Sequence, residues 1–337
     1  LTFKRHDKNV IIFKFQTYHT KTSIVKCGVL KLNRQKLILI LRLGRLHYLL
    51  YGFLFYLVGV LLAVVLKAPF SLDKFLLGYA VLLPAHLAVN YSNEYFDVQV
   101  DKFSNPNLFS GGSGVLIKNP ELINFAKYFS IFMILLSLTL GTIFTFIYNS
   151  TIFLLITIMG NLLAWFYVAP PLKLAYRGLG EIATALTGFL IPGLGYVAIK
   201  GSMDIRFLIF SIPLMLFMLF FIISVEVPDL EADKKGGKKT FIVRYGRKYG
   251  FWIIFISSSL ATVFFLSFPK NLYYPINFNI VAILSLIPTF CSILALLKRN
   301  YSRGDIISIV SRNVSSLILF ITLVDIYFLI IILGSGF

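Results

Sequence analysis

Two short polar runs, each closing a long apolar stretch, hold the residues best suited to chemistry. The first reads Asn93-Glu94-Tyr95-Phe96-Asp97-Val98-Gln99-Val100-Asp101. Asn93, Asp97 and Asp101 recur at i, i+4 and i+8, so on a helix they form one slowly drifting polar stripe. The second reads Glu226-Val227-Pro228-Asp229-Leu230-Glu231-Ala232-Asp233. Glu226, Asp229 and Asp233 stand at i, i+3 and i+7, again one stripe, and Pro228 predicts a kink or a restart of that helix.

Hard oxygen donors of this kind suit Mg²⁺, which keeps several waters and borrows further ligands from substrate phosphates. Facing carboxylates repel one another unless cations neutralise them. Brought together, the stripes could hold Mg²⁺ against a diphosphate and stabilise it as a leaving group. The candidate metal ligands are Asn93, Asp97, Asp101, Asp229 and Asp233. Basic residues follow both runs: Lys102 after the first, and Lys234, Lys235, Lys238 and Lys239 after the second. Of these, Lys102, Lys234 and Lys238 are candidate diphosphate contacts. Glycine pairs follow too, Gly111-Gly112 and Gly236-Gly237, and let backbone approach phosphate oxygens closely. The competing reading is a set of juxtamembrane charges capping helices at the interface. Repetition of spacing, glycines and lysines on both runs weighs against it.

The elements that must position these stripes are apolar. The chain has 337 residues, 58% hydrophobic and 14% charged, against roughly 25% charged in a soluble domain. The apolar residues fall in blocks of membrane-spanning length. Nine spans are predicted, over 46–66, 75–96, 122–148, 151–168, 179–198, 207–226, 250–268, 276–297 and 314–335. The expected fold is therefore an all-α integral membrane protein with a single transmembrane domain over 41–337. A basic N-terminal tail over 1–40, poorly ordered, precedes it. The loops after even-numbered spans hold fifteen Lys and Arg against five in the opposite loops. By the positive-inside rule the N-terminus and both motifs should be cytoplasmic, in a multi-pass protein of the cell membrane. The net charge of +18 is explained by those loops and anionic headgroups rather than by nucleic acid. Cys27 and Cys291 lie far apart and form no metal or redox motif.

The paired runs resemble the UbiA family of intramembrane prenyltransferases. Its N-x-x-x-D-x-x-x-D motif is matched by Asn93, Asp97 and Asp101. Its D-x-E-x-D-x-x-x-G-K-x-T motif is matched by Asp229, Glu231, Asp233, Gly237, Lys238 and Thr240. The resemblance covers roughly 41–335. The run Phe109-Ser110-Gly111-Gly112-Ser113-Gly114 and the stretch Tyr167–Glu181 look most like the menaquinone-type branch, which prenylates dihydroxynaphthoate. Where many ubiquinone-type and archaeal-lipid members carry N-R-P-D-R-P, this chain has Ser104-Asn105-Pro106-Asn107-Leu108.

The resemblance implies helices around a central cavity and Mg²⁺-dependent transfer of a polyprenyl group from an allylic diphosphate to a small, aromatic acceptor. A geranylgeranylglyceryl phosphate acceptor, as in archaeal-type lipid synthesis, is the alternative. Lys173, Arg177, Tyr167 and Tyr176 are candidate catalytic groups, the lysine and arginine drawing charge onto the leaving diphosphate and the tyrosines shielding a cation. Tyr95 belongs to the same group, and each tyrosine is otherwise an interfacial anchor. Arg45 is a candidate diphosphate contact or an ordinary basic flank. Asn161 reads as an acceptor contact or a helix–helix hydrogen bond. A cation-coupled transporter would want charge near the bilayer midplane. Here the acids gather at helix ends, with Asp325 as the exception.

Overall fold

A computed structural model describes residues 11–13, 30–32, 34–298 and 302–334. Of the predicted tail, the described part is a short antiparallel pair, β1 Ile11–Phe13 with β2 Leu30–Leu32, and the start of helix α1, Arg34–Leu43. The rest of 1–33 lies outside the described residues. Among the described residues all other regular structure is helical, as lipid requires of backbone that must satisfy its own hydrogen bonds.

Nine longer helices follow, with short ones between them. They are α2 His47–Val65, α3 Leu72–Asp101, the short α4 Val115–Lys118, α5 Ile123–Tyr148, α6 Thr151–Phe166, the short α7 Leu174–Arg177, α8 Gly180–Lys200, α9 Ile205–Glu226, the short α10 Leu230–Lys235, α11 Phe241–Leu266, α12 Phe278–Leu297 and α13 Arg303–Gly334. Among the described residues eight helical segments are long and apolar enough to cross a membrane, while α6, with 16 residues, is shorter. The protein is a multi-pass membrane protein.

Three helices outrun their hydropathic spans. α3 continues through its polar stripe to Asp101, α11 starts at Phe241 rather than 250, and α13 starts at Arg303 rather than 314. Hydropathy ends where charge begins, but helical hydrogen bonding does not, provided the polar groups find a cavity or water. α11 changes direction at Gly246, whose φ of 81° interrupts the helix.

The helices form a ring. α3 packs on α5, α5 on α6, α6 on α8, α8 on α9, α9 on α11, α11 on α12, α12 on α13, and α13 on α2. α2 also packs along α8, crossing the interior of the ring. Small residues permit that approach. A Cβ on Gly59 would lie 1.8 Å from the Pro192 carbonyl oxygen, and one on Gly195 would lie 2.2 Å from the Tyr56 carbonyl oxygen. Hydroxyls join α11 to α12, with Ser285 donating to Thr262 at 2.8 Å and Ser258 meeting Ser292 at 3.2 Å. Asn161 donates to Ser137 at 2.9 Å, the helix–helix bond among its two predicted uses.

Candidate active site

Above the α2–α8 crossing the ring encloses a cavity of about 370 Å³ that opens at the motif end. Its polar rim is built by α3, the loop after it, and the break after α9. α3 stays regular to its end, so Asn93, Asp97 and Asp101 emerge on one face, and all three line the cavity. The second stripe is built differently. α9 ends at Glu226, a single 3-10 turn spans Val227–Asp229 with Pro228 inside it, and α10 restarts at Leu230. Proline lacks the N–H that would continue the helix, and this break turns Glu226, Asp229 and Asp233 into the cavity together.

The two stripes meet through Lys238. Its ammonium donates to Asp97 Oδ2 at 2.8 Å and lies 3.5 Å from Asp233 Oδ1. Burial opposes its charge, but Asp97 and Asp233 outweigh burial and hold its pKa well above the ordinary lysine value. Tyr176 donates to Asp97 Oδ1 at 2.6 Å, and its ring lies 5.7 Å from the same ammonium. Burial and Asp97 both push the Tyr176 phenol upward, so it remains a neutral donor.

The glycine run after α3 closes over the carboxylates. Gly111 N–H donates to Asp229 Oδ2 at 3.0 Å, tying the first loop to the second stripe. Gly112 takes a φ of 65°, and a Cβ there would lie 2.1 Å from Asp101 Oδ2. Ser113 donates through both N–H and Oγ to Glu94, each at 2.6 Å.

Of the residues selected from sequence, Asn93, Asp97, Asp101, Asp229, Asp233, Arg45, Tyr167 and Lys238 line the cavity, and Tyr176 touches its rim. The others lie elsewhere. Lys102 is exposed and donates to Gln99, while Lys234 is exposed on α10. The Lys173 ammonium lies 5.3 Å from the Tyr176 ring centroid, and Arg177 donates to the Pro171 carbonyl at 2.9 Å. Periodicity passed over Glu94, because it adjoins Asn93 rather than following it by a turn. Its proximity to a Gly-Gly-Ser run was the available signal. Glu181 was also passed over. It accepts from the Phe241 N–H and faces Glu226 from the first turn of α8.

The residues present fit Mg²⁺. Asn93 Oδ1 and Glu226 Oε2 are buried without a hydrogen-bond partner, and the ammonium of Lys238 stands between carboxylates of the two stripes. Among the described residues no three acidic, His or Cys side chains already converge on one point. That suits an ion that completes its shell with water and phosphate oxygens rather than with an all-protein cage. At the mouth, Arg45 donates to Tyr48 Oη at 3.1 Å and lies 4.8 Å over its ring. His47, Tyr48, Tyr51 and Phe109 form an aromatic group there, with His47 and Tyr48 ring centroids 4.4 Å apart.

Comparison with known proteins agrees with this layout. The model of the UbiA prenyltransferase family matches residues 52–316. A 1,4-dihydroxy-2-naphthoate octaprenyltransferase of Bacillus subtilis is 25% identical over 61% of this chain and 67% of its own length. A digeranylgeranylglyceryl phosphate synthase of Sulfolobus acidocaldarius is 30% identical over 58% of this chain, and the match spans 64% of that relative, less than two thirds. In structure, a UbiA homologue from Archaeoglobus fulgidus bound to GPP and Mg²⁺ superimposes with a TM-score of 0.62 at 19% identity, covering 87% of this chain and 99% of that one. An apo UbiA homologue from Aeropyrum pernix K1 gives 0.63 at 17% identity, over 82% and 96%.

Proposed function

From the premise that this chain belongs to the UbiA prenyltransferase family and is a prenyltransferase, we propose that it transfers a polyprenyl group from an allylic diphosphate to a naphthoate-like aromatic acceptor, with Mg²⁺. The observation that carries the reading is the Lys238 bridge between Asp97 and Asp233, which brings two motifs distant in sequence to one cavity rim. Asn93, Asp97, Asp101, Asp229 and Asp233 would hold the metal. When bound, Mg²⁺ supplies charge that stabilises the departing diphosphate.

The chain's own groups have separable tasks. Lys238 binds the diphosphate and neutralises charge as the carbon–oxygen bond breaks. The Gly111–Gly112 backbone closes the rim and limits water there. Tyr176 fixes the orientation of Asp97. The apolar walls below take the prenyl tail. Tyr167, half-buried in the wall, presents its ring toward the region where positive charge develops on the allylic carbon. The acceptor forms the new bond to that carbon and loses a proton. The aromatic group at Tyr48, Tyr51 and Phe109, with Arg45 beside it, offers a stacking surface and a cationic contact for a planar acid. The motif end faces the cytoplasm of the cell membrane in this reading.

The relatives carry both kinds of acceptor in their names, so the acceptor is the point to test. Purified protein is incubated with Mg²⁺, labelled geranylgeranyl diphosphate, and dihydroxynaphthoate together with geranylgeranylglyceryl phosphate. Label in the naphthoate product is expected. Label only in the glyceryl phosphate overturns the acceptor and leaves the reaction type standing.

A further inference from the structure

The polar stripe of α3 does not stop at the rim. From Asp101 and Asp97 it runs inward through Asn93 and Asn90 to His86, each step three or four residues, so all five share one face. All five line the cavity. His86 lies two helical turns below Asn93, about 10 Å deeper along the helix. An ionisable side chain at membrane depth normally faces a cavity or a partner, and this one faces the cavity.

The chain makes room for the imidazole and leaves it unpaired. A Cβ on Gly52 would lie 2.4 Å from His86 Nδ1 and 2.7 Å from Cε1, so α2 carries no side chain where the ring lies against it. Tyr51, next to Gly52, also lines the cavity. Among the described residues, neither the ring nitrogens of His86 nor the Tyr51 hydroxyl has a hydrogen-bond partner. Other polar groups at this depth are engaged. Thr184 is bonded to Tyr167, Thr187 donates to the Thr184 carbonyl at 2.6 Å, and Asn90 donates to the Gly44 carbonyl at 2.7 Å. A neutral imidazole carries one donor and one acceptor. Left unpaired in an apolar wall, they cost free energy that a ligand hydroxyl recovers.

The cavity has two unlike walls. Below Glu226, the lining residues of α9 and α13 are all apolar, Met218, Ile222, Leu317 and Ile321 among them. The facing surface of α2 and α3 carries Tyr48, Tyr51, His86 and Asn90. A prenyl chain has no hydrogen bond to offer and suits the first wall, whereas a hydroxylated ring suits the second. Tyr48 and Tyr51 stand edge to face there, with ring centroids 5.7 Å apart. At the top of this wall, the Asn90–Gly44 bond fixes the residue before Arg45, and Arg45 lies within electrostatic reach of Glu94. From Glu94 down to His86 is about 12 Å of helix. An aromatic acid with a hydrogen bond at each end can bridge that distance.

We propose that His86, seated against Gly52 and flanked by Tyr51, is the specificity-determining contact for a ring hydroxyl of the acceptor, whose carboxylate is held by Arg45. The proposal rests on the aromatic-acceptor reading above. It adds a residue that recognises the acceptor by its hydroxyl rather than by its acid group.

The test uses the full chain in lipid nanodiscs with Mg²⁺ and the non-cleavable geranylgeranyl thiolo-diphosphate analogue. It is titrated with 1,4-dihydroxy-2-naphthoate and with 1-hydroxy-2-naphthoate, which lacks only the hydroxyl remote from the carboxylate. The wild type should bind the dihydroxy acid at least about tenfold more tightly, the scale of a buried polar group losing its partner. In His86→Leu the two affinities should agree within about twofold, with the donor analogue bound as in the wild type. General damage to the fold would weaken both acids alike and leave their ratio. Gly52→Ala, whose methyl group pushes the imidazole off α2, should narrow the ratio too. A wild-type ratio near one, or a ratio of wild-type size in His86→Leu, overturns the proposal. If His86→Leu also loses the donor analogue, Gly52→Ala decides by the same ratio, and an unchanged ratio overturns the proposal. Failure of the underlying reading looks different. A wild type that binds neither acid loses the aromatic acceptor altogether, and this inference with it.

Discussion

Both ends of the bundle gather charge around carboxylates, and they treat it in opposite ways. At the far end, Asp204 caps α9 by accepting from the Phe207 N–H at 3.2 Å. It also accepts from Tyr196 Oη at 3.0 Å, from Arg206 through Nε at 3.0 Å and Nη2 at 2.8 Å, and from Lys200. Burial alone would raise its pKa, but these donors outweigh it and hold the carboxyl far below the usual range. At the motif end, Glu94, Asp97, Asp101, Glu226, Asp229 and Asp233 all line one cavity. Among the described residues Lys238 is the one cation ion-paired with any of them. A carboxylate with a full set of donors is a structural joint. A group of carboxylates short of positive charge is a place where the chain leaves the balance to a ligand.

The largest expected effect comes from removing a carboxylate that needs such a ligand. Asp97→Ala or Asp229→Ala should cut prenyl transfer by at least about 10²-fold, the scale of losing one group that stabilises charge in the transition state. The protein should stay folded, because the change also relieves repulsion within the cluster. Turnover by mass spectrometry and elution of a monodisperse peak are the readouts, and near-normal transfer would remove that residue's role. Lys238→Met should follow, with transfer lowered by about 10²-fold. It leaves Asp97 and Asp233 facing each other without their shared ammonium. Gly112→Ala is expected to cost about tenfold or more in transfer, since the methyl group must push Asp101 aside at a backbone angle that disfavours any side chain.

The far end should respond in the other currency. Asp204→Ala removes a helix cap and its ion pairs, so thermal unfolding in detergent should show a loss of about 1–2 kcal/mol. The rate of transfer per folded molecule should not change. Equal loss of rate at both ends would erase the distinction between joint and site. The smallest effect is expected at Glu231, although it stands within the second motif. Its side chain is 64% exposed and paired to Arg247 at 2.6 Å, away from the cavity. An exposed pair of this kind contributes about 0–1 kcal/mol, so Glu231→Ala should leave transfer within about threefold of the wild type.

This difference between Glu231 and its neighbours marks how far the sequence could be read. The spacing of Asn93, Asp97 and Asp101 was enough to put them on one face, because α3 obeys helical periodicity to its last residue. The second stripe was legible in its polarity and in Pro228, but not in its direction. Where the helix breaks and restarts, residue spacing no longer measures angle. Four lysines followed that stripe, and spacing alone did not tell Lys238 from Lys234; only the match of Gly237, Lys238 and Thr240 to the G-K-x-T motif set it apart. What separates them is the turn at Gly236–Gly237, which carries the chain back over the rim. Glu94 escaped for the converse reason. It sits beside a stripe residue, and its place in the site comes from a loop that returns to it at Ser113. The span boundaries drifted where helices carried polar residues past the apolar core, at α3, α11 and α13. Residues 1–33 are described only at their two strands.

The central claim is that residues from both stripes jointly hold one metal–diphosphate unit. Mn²⁺, a paramagnetic stand-in for Mg²⁺, tests it directly when added to the nanodisc-embedded protein with the geranylgeranyl thiolo-diphosphate analogue. The ³¹P resonances of the bound analogue should broaden in the wild type, and the broadening should disappear in both Asp97→Asn and Asp229→Asn. Retention of full broadening in either variant would mean that one stripe suffices, and would contradict the account.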